Sequence, residues 1–245
     1  MSLDILIPSK IPNNNLLKTI ESINNIEEID NIIIVDDTNN LNNKIYKSIK
    51  KKYKKIILLN NEHLSGISGA LNTGLESSKS EFIGRIDSGD MCLDKKRFKK
   101  ILNLFKKRID IDLICSGLVN NKSQKIKPLC IYIKEKLSPF SRVPHPTWVM
   151  RKSSIITNYK HNCIRFEDYA FLLDNRLKIL TLNQFDLLYD TSDNLSRITE
   201  LKTAFLKTKY FLGKSEKDFI SLTTAFFYLI LRTIRLILSS KKIIF

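Results

Sequence analysis

The chain has 245 residues, of which 43% are hydrophobic and 27% are charged, and its formal net charge at pH 7 is +16. This composition excludes a disordered or fibrous protein and suffices for a sizeable core, while the charge favours an anionic partner such as nucleic acid, membrane or a phosphorylated substrate. Most of the excess lies in residues 44–55, which contain seven lysines and no acid, and in residues 202–245, with a net charge of +7. Because the charge of the remaining residues is nearly balanced, we expect no nucleic-acid-binding groove spread across the fold.

Short apolar runs alternate with helical patterns in the first half of the chain. Strands are predicted at residues 4–8, 31–35, 56–59 and 81–86, and helices from residue 16, over 45–53, over 64–78 and from a cap at Asp94. Continuously apolar strands are typical of a parallel sheet with helices on both faces. The predicted fold class is therefore α/β, with a mixed, mostly parallel sheet flanked by helices.

Several residues follow the predicted strands at their carboxyl ends, where ligands bind in such sheets. Pro8 ends the first strand, Asp36 and Asp37 follow the second, and Asp87 and Asp90 follow the fourth. Carboxylates that meet at one rim suit a hard cation. A turn without a ligand is the alternative interpretation.

Cysteine spacing and the start of the chain bear on the compartment. The four cysteines show no C-x-x-C pattern and no histidine at zinc-ligand intervals, which predicts reduced, mostly buried thiols. No basic segment followed by a long apolar run begins the chain, so the sequence favours a cytoplasmic protein.

Five motifs, in order and spacing, resemble glycosyltransferase family 2, which has the GT-A (Rossmann-like) fold and uses nucleotide-sugar donors. The motifs are Ile34–Asp37, Gly69–Gly74, Arg85–Asp90, His145–Thr147 and Phe166–Tyr169. The resemblance implies a catalytic domain over residues 1–197, followed by a helical extension over residues 198–245. The Q-x-x-R-W signature of the family's processive polymerases is not in the sequence, which favours single addition.

The resemblance also implies roles on the donor side of the site. Asp36 would lie in the base-recognition part of the donor pocket, Asp87 would open the metal-binding D-x-D signature, and further donor contacts are expected from Pro8, Asn72, Arg85 and His145. Gly89 stands where the signature usually has its second Asp, so Asp87 and Asp90 share the Mn²⁺ or Mg²⁺, or Asp87 holds it almost alone. Pro146 predicts an extended backbone at His145, which could equally be a strand-end histidine with no role in binding.

The resemblance places the catalytic base at Asp168, with Glu167 as its neighbour. Two adjacent carboxylates can raise one pKa and help a base to act near neutral pH. The alternative is that both acids only stabilise a helix N-terminus.

The carboxyl-terminal segment predicts an amphipathic helix. Ser215–Asp218 has the form of a capping box, and the charge-free run Phe219–Leu231 is too short to span a bilayer comfortably. From Lys214 to Lys242, polar and basic residues recur about every 3.5 residues along one stripe. We expect this stripe to lie on the headgroups of an anionic membrane; packing on the catalytic domain or on a second subunit is the alternative.

Together these features predict an inverting glycosyltransferase that is peripheral on the inner face of the cell membrane. It would move one sugar from a nucleotide-diphosphate sugar to a glycan or lipid-linked acceptor in the synthesis of surface polysaccharide or lipopolysaccharide. The alternatives are a nucleotidyltransferase on a related sheet and an inactive basic protein that binds glycan or nucleic acid.

Overall fold

The computed structural model describes residues 1–133, 135–190, 197–215 and 219–241, and the side chains among them except those of 197–198 and 236–241. The strands are β1 (Leu3–Ser9), β2 (Asn31–Asp36), β3 (Ile56–Asn60), β4 (Phe82–Arg85), β5 (Met91–Cys92), β6 (Leu113–Asn120), β7 (Lys125–Ile126), β8 (Tyr132–Ile133), β9 (Lys136–Leu137), β10 (Val149–Arg151) and β11 (Ile179–Tyr189). The helices are α1 (Asn14–Ile23), α2 (Lys44–Lys52), α3 (Ile67–Ser77), α4 (Arg97–Lys107), α5 (Glu167–Asn175), α6 (Arg197–Lys214) and α7 (Phe219–Lys241).

One large sheet organises the described residues, in the order β3-β2-β1-β4-β10-β6-β11-β5, with β7 paired to β6. Strands β1 to β4 are parallel, as predicted, because a helix connects each of them to the next. Two apolar clusters pack against the sheet, and the helices supply their apolar faces. The predicted α/β architecture is confirmed.

Local features explain where individual helices begin. The Asn13 side chain accepts hydrogen bonds from the backbone of Asn15 and Leu16, which caps α1. Asp94 was predicted to cap α4, but the helix begins at Arg97 and Lys96 is its N-cap residue. The Asp94 carboxylate instead accepts from Lys96 N at 2.9 Å and shapes the preceding turn. All four cysteines are free thiols, and all but Cys130 are buried.

Strand β10 is the antiparallel insertion in this sheet, lying between β4 and β6. Its register places Val149 opposite Gly84 and Arg151 opposite Phe82. Because the strands run in opposite directions, the residues that precede β10 lie beside those that follow β4. This pairing builds the site described below.

Helix α6 begins the predicted helical extension and packs on α5, and α7 packs on α6. A clamp at Asp174 joins α5 to α6, where this buried carboxylate lies 2.7 Å from Lys214 Nζ and accepts a hydrogen bond from Tyr210 at 2.6 Å. Lys160 Nζ lies 2.6 Å from the same carboxylate. These contacts fix α6 to α5 and to the loop that carries Lys160.

From Ser221 to Arg232 the polar stripe of α7 faces the protein, while Arg235 is exposed. This corrects the prediction that the stripe lies on lipid headgroups. Ser221 and Tyr228 are buried, and Arg232 pairs with Glu200 of α6 at 3.5 Å. The apolar side chains point outward instead; the most exposed are Phe219, Ile220, Leu222, Phe226, Phe227, Leu231 and Ile234. The capping box is only partly described, since residues 216–218 lie outside the described ranges, as does Lys242 at the end of the stripe. None of the helices in those ranges is long and apolar enough to cross a membrane.

Candidate active site

A chain of side chains joins the end of β4 to the start of α5. His145 lies between two carboxylates, with Nε2 2.9 Å from Asp87 Oδ2 and Nδ1 3.2 Å from Asp168 Oδ2. The three residues come from motifs 58 and 23 positions apart in the sequence. The structure therefore brings together two predicted donor residues, Asp87 and His145, and the predicted base, Asp168.

The position of His145 follows from the pairing of β10 with β4. It begins a single 3-10 turn, His145–Thr147, rather than continuing the extended segment that Pro146 predicted. The buried ring of Trp148 meets the imidazole edge to face, with centroids 6.4 Å apart. The turn and the indole ring together aim the imidazole at both carboxylates.

Arg85 occupies the other side of Asp87. Its Nε and Nη2 donate to the two oxygens of Asp87 at 2.8 and 3.2 Å, and the guanidinium is 1% exposed. Nη1 has no hydrogen-bond partner among the described residues. A buried guanidinium nitrogen without a partner is costly, so Arg85 would gain from a hydrogen bond to an anionic ligand.

The charges of Arg85, Asp87, His145 and Asp168 largely stabilise one another. Burial opposes the ionisation of Asp87, but Arg85 and His145 more than offset it and hold the pKa of Asp87 below its ordinary value. Burial and Arg85 likewise disfavour the imidazolium, yet Asp87 and Asp168 raise the pKa of His145 to about 9. At neutral pH, His145 is therefore a cation between two anions.

The two adjacent acids of α5 titrate in opposite directions. Burial alone would raise the pKa of Asp168, but His145 and Lys207 lower it to about 2. Burial, with Asp168 adding to it, raises the pKa of Glu167, whose Oε2 has no hydrogen-bond partner among the described residues. The upward shift thus falls on Glu167 and not on the predicted base, because only Asp168 contacts the imidazole.

Asp90 and Gly89 complete the turn after β4. Gly89 has φ +108°, a conformation that L side chains rarely adopt, and its N–H donates to Thr19 Oγ1 at 2.9 Å. This backbone conformation explains why glycine stands where the family signature usually has a second Asp. Asp90 is 2% exposed, with Oδ1 accepting from Asp190 N and Oδ2 unpaired in the described part of the chain.

An uncompensated carboxylate suits a cation. Burial and the neighbouring Asp87 raise the pKa of Asp90 to about 8, which is the signature of a charge that lacks a counterion. Within the described ranges no group of three or more His, Cys, Asp or Glu side chains forms a ready metal cage. Mg²⁺ commonly binds to one or two carboxylates and completes its shell with substrate phosphates and water, so the uncompensated Asp90 fits such an ion. Its neighbour Asp87 is already paired with Arg85 and His145.

Three of the predicted donor residues, Asp36, Asn72 and Pro8, lie apart from this series of side chains and contact other groups. Asp36 is fully buried and accepts from Tyr46 Oη at 3.0 Å and from Asn40 N at 2.6 Å. Asn72 is also buried, and its amide bonds both the N–H and the C=O of Tyr159. Both side chains therefore fix loops, and this geometry does not support their predicted donor contacts. Pro8 is half-buried within β1, beside Val35.

A cavity of about 640 Å³ lies on the Asp168 side of the histidine. Its walls include Asp168 and His145 together with cationic residues that the sequence analysis did not assign to the site; these are Arg142, Arg165, Lys207, Arg232 and Arg235. Lys207, Arg232 and Arg235 come from α6 and α7. For Arg232 and Arg235 the periodicity of α7 is the signal in the sequence, but periodicity alone does not show which surface the stripe faces.

Comparison with known proteins supports this picture. The glycosyl transferase family 2 model matches residues 4–162. An uncharacterized glycosyltransferase of Methanocaldococcus jannaschii is 28% identical over 227 residues, covering 85% of this chain and 78% of that protein. The Escherichia coli UDP-Glc:alpha-D-GlcNAc-diphosphoundecaprenol beta-1,3-glucosyltransferase WfgD is 30% identical over 91 residues, covering 37% of this chain and 36% of that protein.

Two solved structures share the fold. Staphylococcus aureus TarS residues 1–349, in complex with UDP, superposes with a TM-score of 0.64 and 16% identity, covering 94% of this chain and 71% of that one. The mannosyltransferase PcManGT of Pyrobaculum calidifontis, in complex with GDP-Man and Mn²⁺, gives 0.64 and 10% identity, covering 93% and 69%. The five motifs, the sheet that positions them and the family match lead to one conclusion: this chain belongs to glycosyltransferase family 2 and is an enzyme that transfers a sugar from a nucleotide sugar.

Proposed function

We propose that this enzyme inverts the anomeric centre as it moves one sugar to a hydroxyl of a glycan or lipid-linked acceptor in cell-surface polysaccharide synthesis. The observation that carries the proposal is the Asp87–His145–Asp168 chain. It connects the carboxylate predicted to serve the donor with the carboxylate predicted to serve the acceptor. A single displacement needs both partners held on opposite sides of one anomeric carbon.

Asp168 acts as the base in this proposal. The acceptor oxygen forms a bond to the anomeric carbon, the carbon–phosphate oxygen bond breaks, and its electron pair leaves with the nucleoside diphosphate. The acceptor proton passes to Asp168, which His145 orients. Its pKa is lowered to about 2, so Asp168 is ionised at neutral pH, as a base must be, and His145 stabilises that ionised form. Glu167 is buried next to Asp168 and makes the first turn of α5 polar.

Asp87 and Asp90 would hold Mg²⁺ or Mn²⁺ on the donor side. Such an ion neutralises the charge that develops on a departing diphosphate. Support comes from the unpaired Oδ2 of Asp90 and its raised pKa. The unpaired Nη1 of Arg85 offers the donor a further cationic contact.

Residues 198–245 are proposed as an extension that attaches the catalytic domain, residues 1–197, to the inner face of the cell membrane. The outward side chains of α7 are large and apolar, with Phe226 62% and Phe227 58% exposed. An apolar helix face of this kind is buried in the interfacial region of a bilayer when the helix lies flat. Docking would thus use the apolar face and not the basic stripe.

The test uses the full-length chain and a panel of UDP-, GDP- and dTDP-sugars, each with and without Mg²⁺ or Mn²⁺. Release of the nucleoside diphosphate to water serves as the readout until an acceptor is found. Asp168→Asn should reduce turnover by at least about 100-fold, the usual size of general-base catalysis, while diphosphate affinity stays unchanged. Asp110→Asn makes the same chemical change on an exposed pair with Arg108 and is the matched control. Normal turnover by the Asp168 variant would refute the assignment.

Family membership favours this function over the alternatives. Nucleotidyl transfer would need a phosphate loop after β1, and that segment offers Lys10 but no glycine. An inactive basic protein would show steeply salt-dependent nucleic-acid binding without any turnover of nucleotide sugars.

A further inference from the structure

The cavity beside Asp168 has an unusual charge for the site of a neutral sugar hydroxyl. Its walls carry five Lys and Arg side chains, besides His145, against two carboxylates, Asp168 and Glu200. The first of these carboxylates is engaged by His145, and the second faces Arg232. The cavity therefore has an excess of positive charge with no counterion in the described part of the chain.

Lys207 shows this excess most clearly. Within the described ranges it forms no ion pair, and its ammonium lies 4.3 Å from the ring centroid of Tyr169 and 5.7 Å from that of Tyr228. Aromatic faces hold a lysine in place without neutralising it. Burial lowers the pKa of Lys207 to about 8, and Asp168 only partly offsets this, so the ammonium at the cavity wall would be stabilised by an anionic ligand.

Arg232 adds a second cation from α7. It reaches Glu200 Oε2 at 3.5 Å with Nη2, which leaves Nε buried and without a hydrogen-bond partner among the described residues. A guanidinium with an unsatisfied nitrogen is suited to bidentate recognition of a phosphate. Arg235 lines the same wall one turn along the helix.

The lining distinguishes the acceptor side from the donor side. Asp168 and His145 reach the cavity, whereas Arg85, Asp87 and Asp90 do not belong to its walls. Anions that enter here therefore approach the base and not the proposed cation site. Leu231 both lines the cavity and is 54% exposed on the outer apolar face of α7, so the cavity adjoins the surface proposed for lipid contact.

We propose that the cavity is an acceptor subsite whose ligand carries a phosphate or diphosphate group, bound by Lys207 and Arg232. This inference rests on the proposed transfer to an acceptor and specifies the chemistry of that acceptor. A lipid phosphate and a free sugar phosphate share the same anionic group. The adjoining apolar face favours the lipid form. The cavity volume is within the usual range for a small-molecule site.

The experiment measures binding by calorimetry on the full-length chain with UDP and Mg²⁺ at saturation, so that the donor side is filled. Octyl phosphate below its micelle concentration represents a lipid phosphate, and inorganic phosphate represents the free anion. Lys207→Gln and Arg232→Gln should each weaken octyl phosphate binding about tenfold, since each removes a charge-assisted contact. Lys209→Gln, an exposed lysine of the same helix outside the cavity, should leave the affinity unchanged.

A variant of Glu200 distinguishes the loss of a contact from misfolding as the cause of weaker binding. Glu200→Gln frees Arg232 from its competing carboxylate and should strengthen octyl phosphate binding, which a damaged fold would not do. Tighter binding of octyl phosphate than of inorganic phosphate supports the lipid form, and equal binding supports a sugar phosphate. Unchanged affinity in both cation variants, or a parallel loss of UDP affinity, would overturn the subsite. If no nucleoside diphosphate binds, the proposed function fails, and phosphate binding without nucleotide still tests the cavity.

Discussion

The double variant Phe226→Ser, Phe227→Ser tests whether the outer face of α7 enters a membrane. The two rings are 62% and 58% exposed, and full burial of a Phe side chain is worth about 1.5–3 kcal/mol. Transfer of the exposed portions into the bilayer interface therefore contributes about 3 kcal/mol for the pair. Since about 1.4 kcal/mol corresponds to a factor of ten, the variant should bind vesicles roughly 100-fold more weakly.

Co-sedimentation with phosphatidylcholine vesicles, with and without phosphatidylglycerol, gives the partition coefficient. Thermal unfolding should change little, because the substituted side chains lie outside the core and Ser and Phe have similar helix propensities. Ile109→Ser removes an apolar side chain that is 84% exposed outside the helical extension, and it is the matched control. This control should sediment with vesicles as the original chain does.

Three results would contradict the reasoning. Unchanged vesicle binding by the double variant would remove α7 as the membrane contact. A change from dimer to monomer in sedimentation velocity, without any effect on vesicle binding, would show that a second copy of the chain covers this face. A larger effect from Arg235→Gln would restore the basic stripe as the membrane contact.

Three further predictions concern the fold and the cation site. Asp174→Asn should cost about 2 kcal/mol of unfolding free energy, because Lys160 and Lys214 lose their shared carboxylate. Burial opposes ionisation of Asp174, but its lysine and tyrosine partners lower its pKa below the usual 3.8. The difference in unfolding free energy between the variant and the original chain should therefore persist above pH 4. It should vanish in acid denaturation as the pH falls through the lowered pKa. Gly89→Ala should lower the unfolding free energy by about 1–3 kcal/mol in thermal denaturation, because φ is +108° there. The pKa of Asp90 is raised to about 8, so its ionisation destabilises the metal-free fold as the pH rises from 4 to 8. Asp90→Asn should therefore raise the Tm at pH 8. We expect Mn²⁺ with nucleoside diphosphate to raise the Tm of the original chain further, and this rise should be absent in the variant.

Much of the amino-terminal half was predictable because its signals are local. Apolar runs such as residues 31–35 match β2 within one residue, and the acids predicted to open a helix at Glu167 do so. Local patterns failed where a residue's conformation depends on a distant partner. His145 was expected in an extended segment, yet the antiparallel β10 places it in a turn against Asp87.

Periodicity likewise has a limit that α7 illustrates. The polar residues from Ser221 to Arg232 lie on one side of the helix, as their spacing requires. Spacing does not say which side faces the protein, because that depends on what the neighbouring helix offers. Glu200 and the cavity beside Lys207 supply polar partners, so the stripe turns inward and the phenylalanines remain outside.

The positive charge of the chain shows the same division. Sequence by itself determined that two segments carry the excess, that strand-end carboxylates gather at one rim, and that the motifs follow the order of a family of sugar transferases. Only the tertiary structure decided that cations of the tail line a cavity beside Asp168. The physical reason is that charge and periodicity are properties of a segment, whereas a binding site is made by segments that meet.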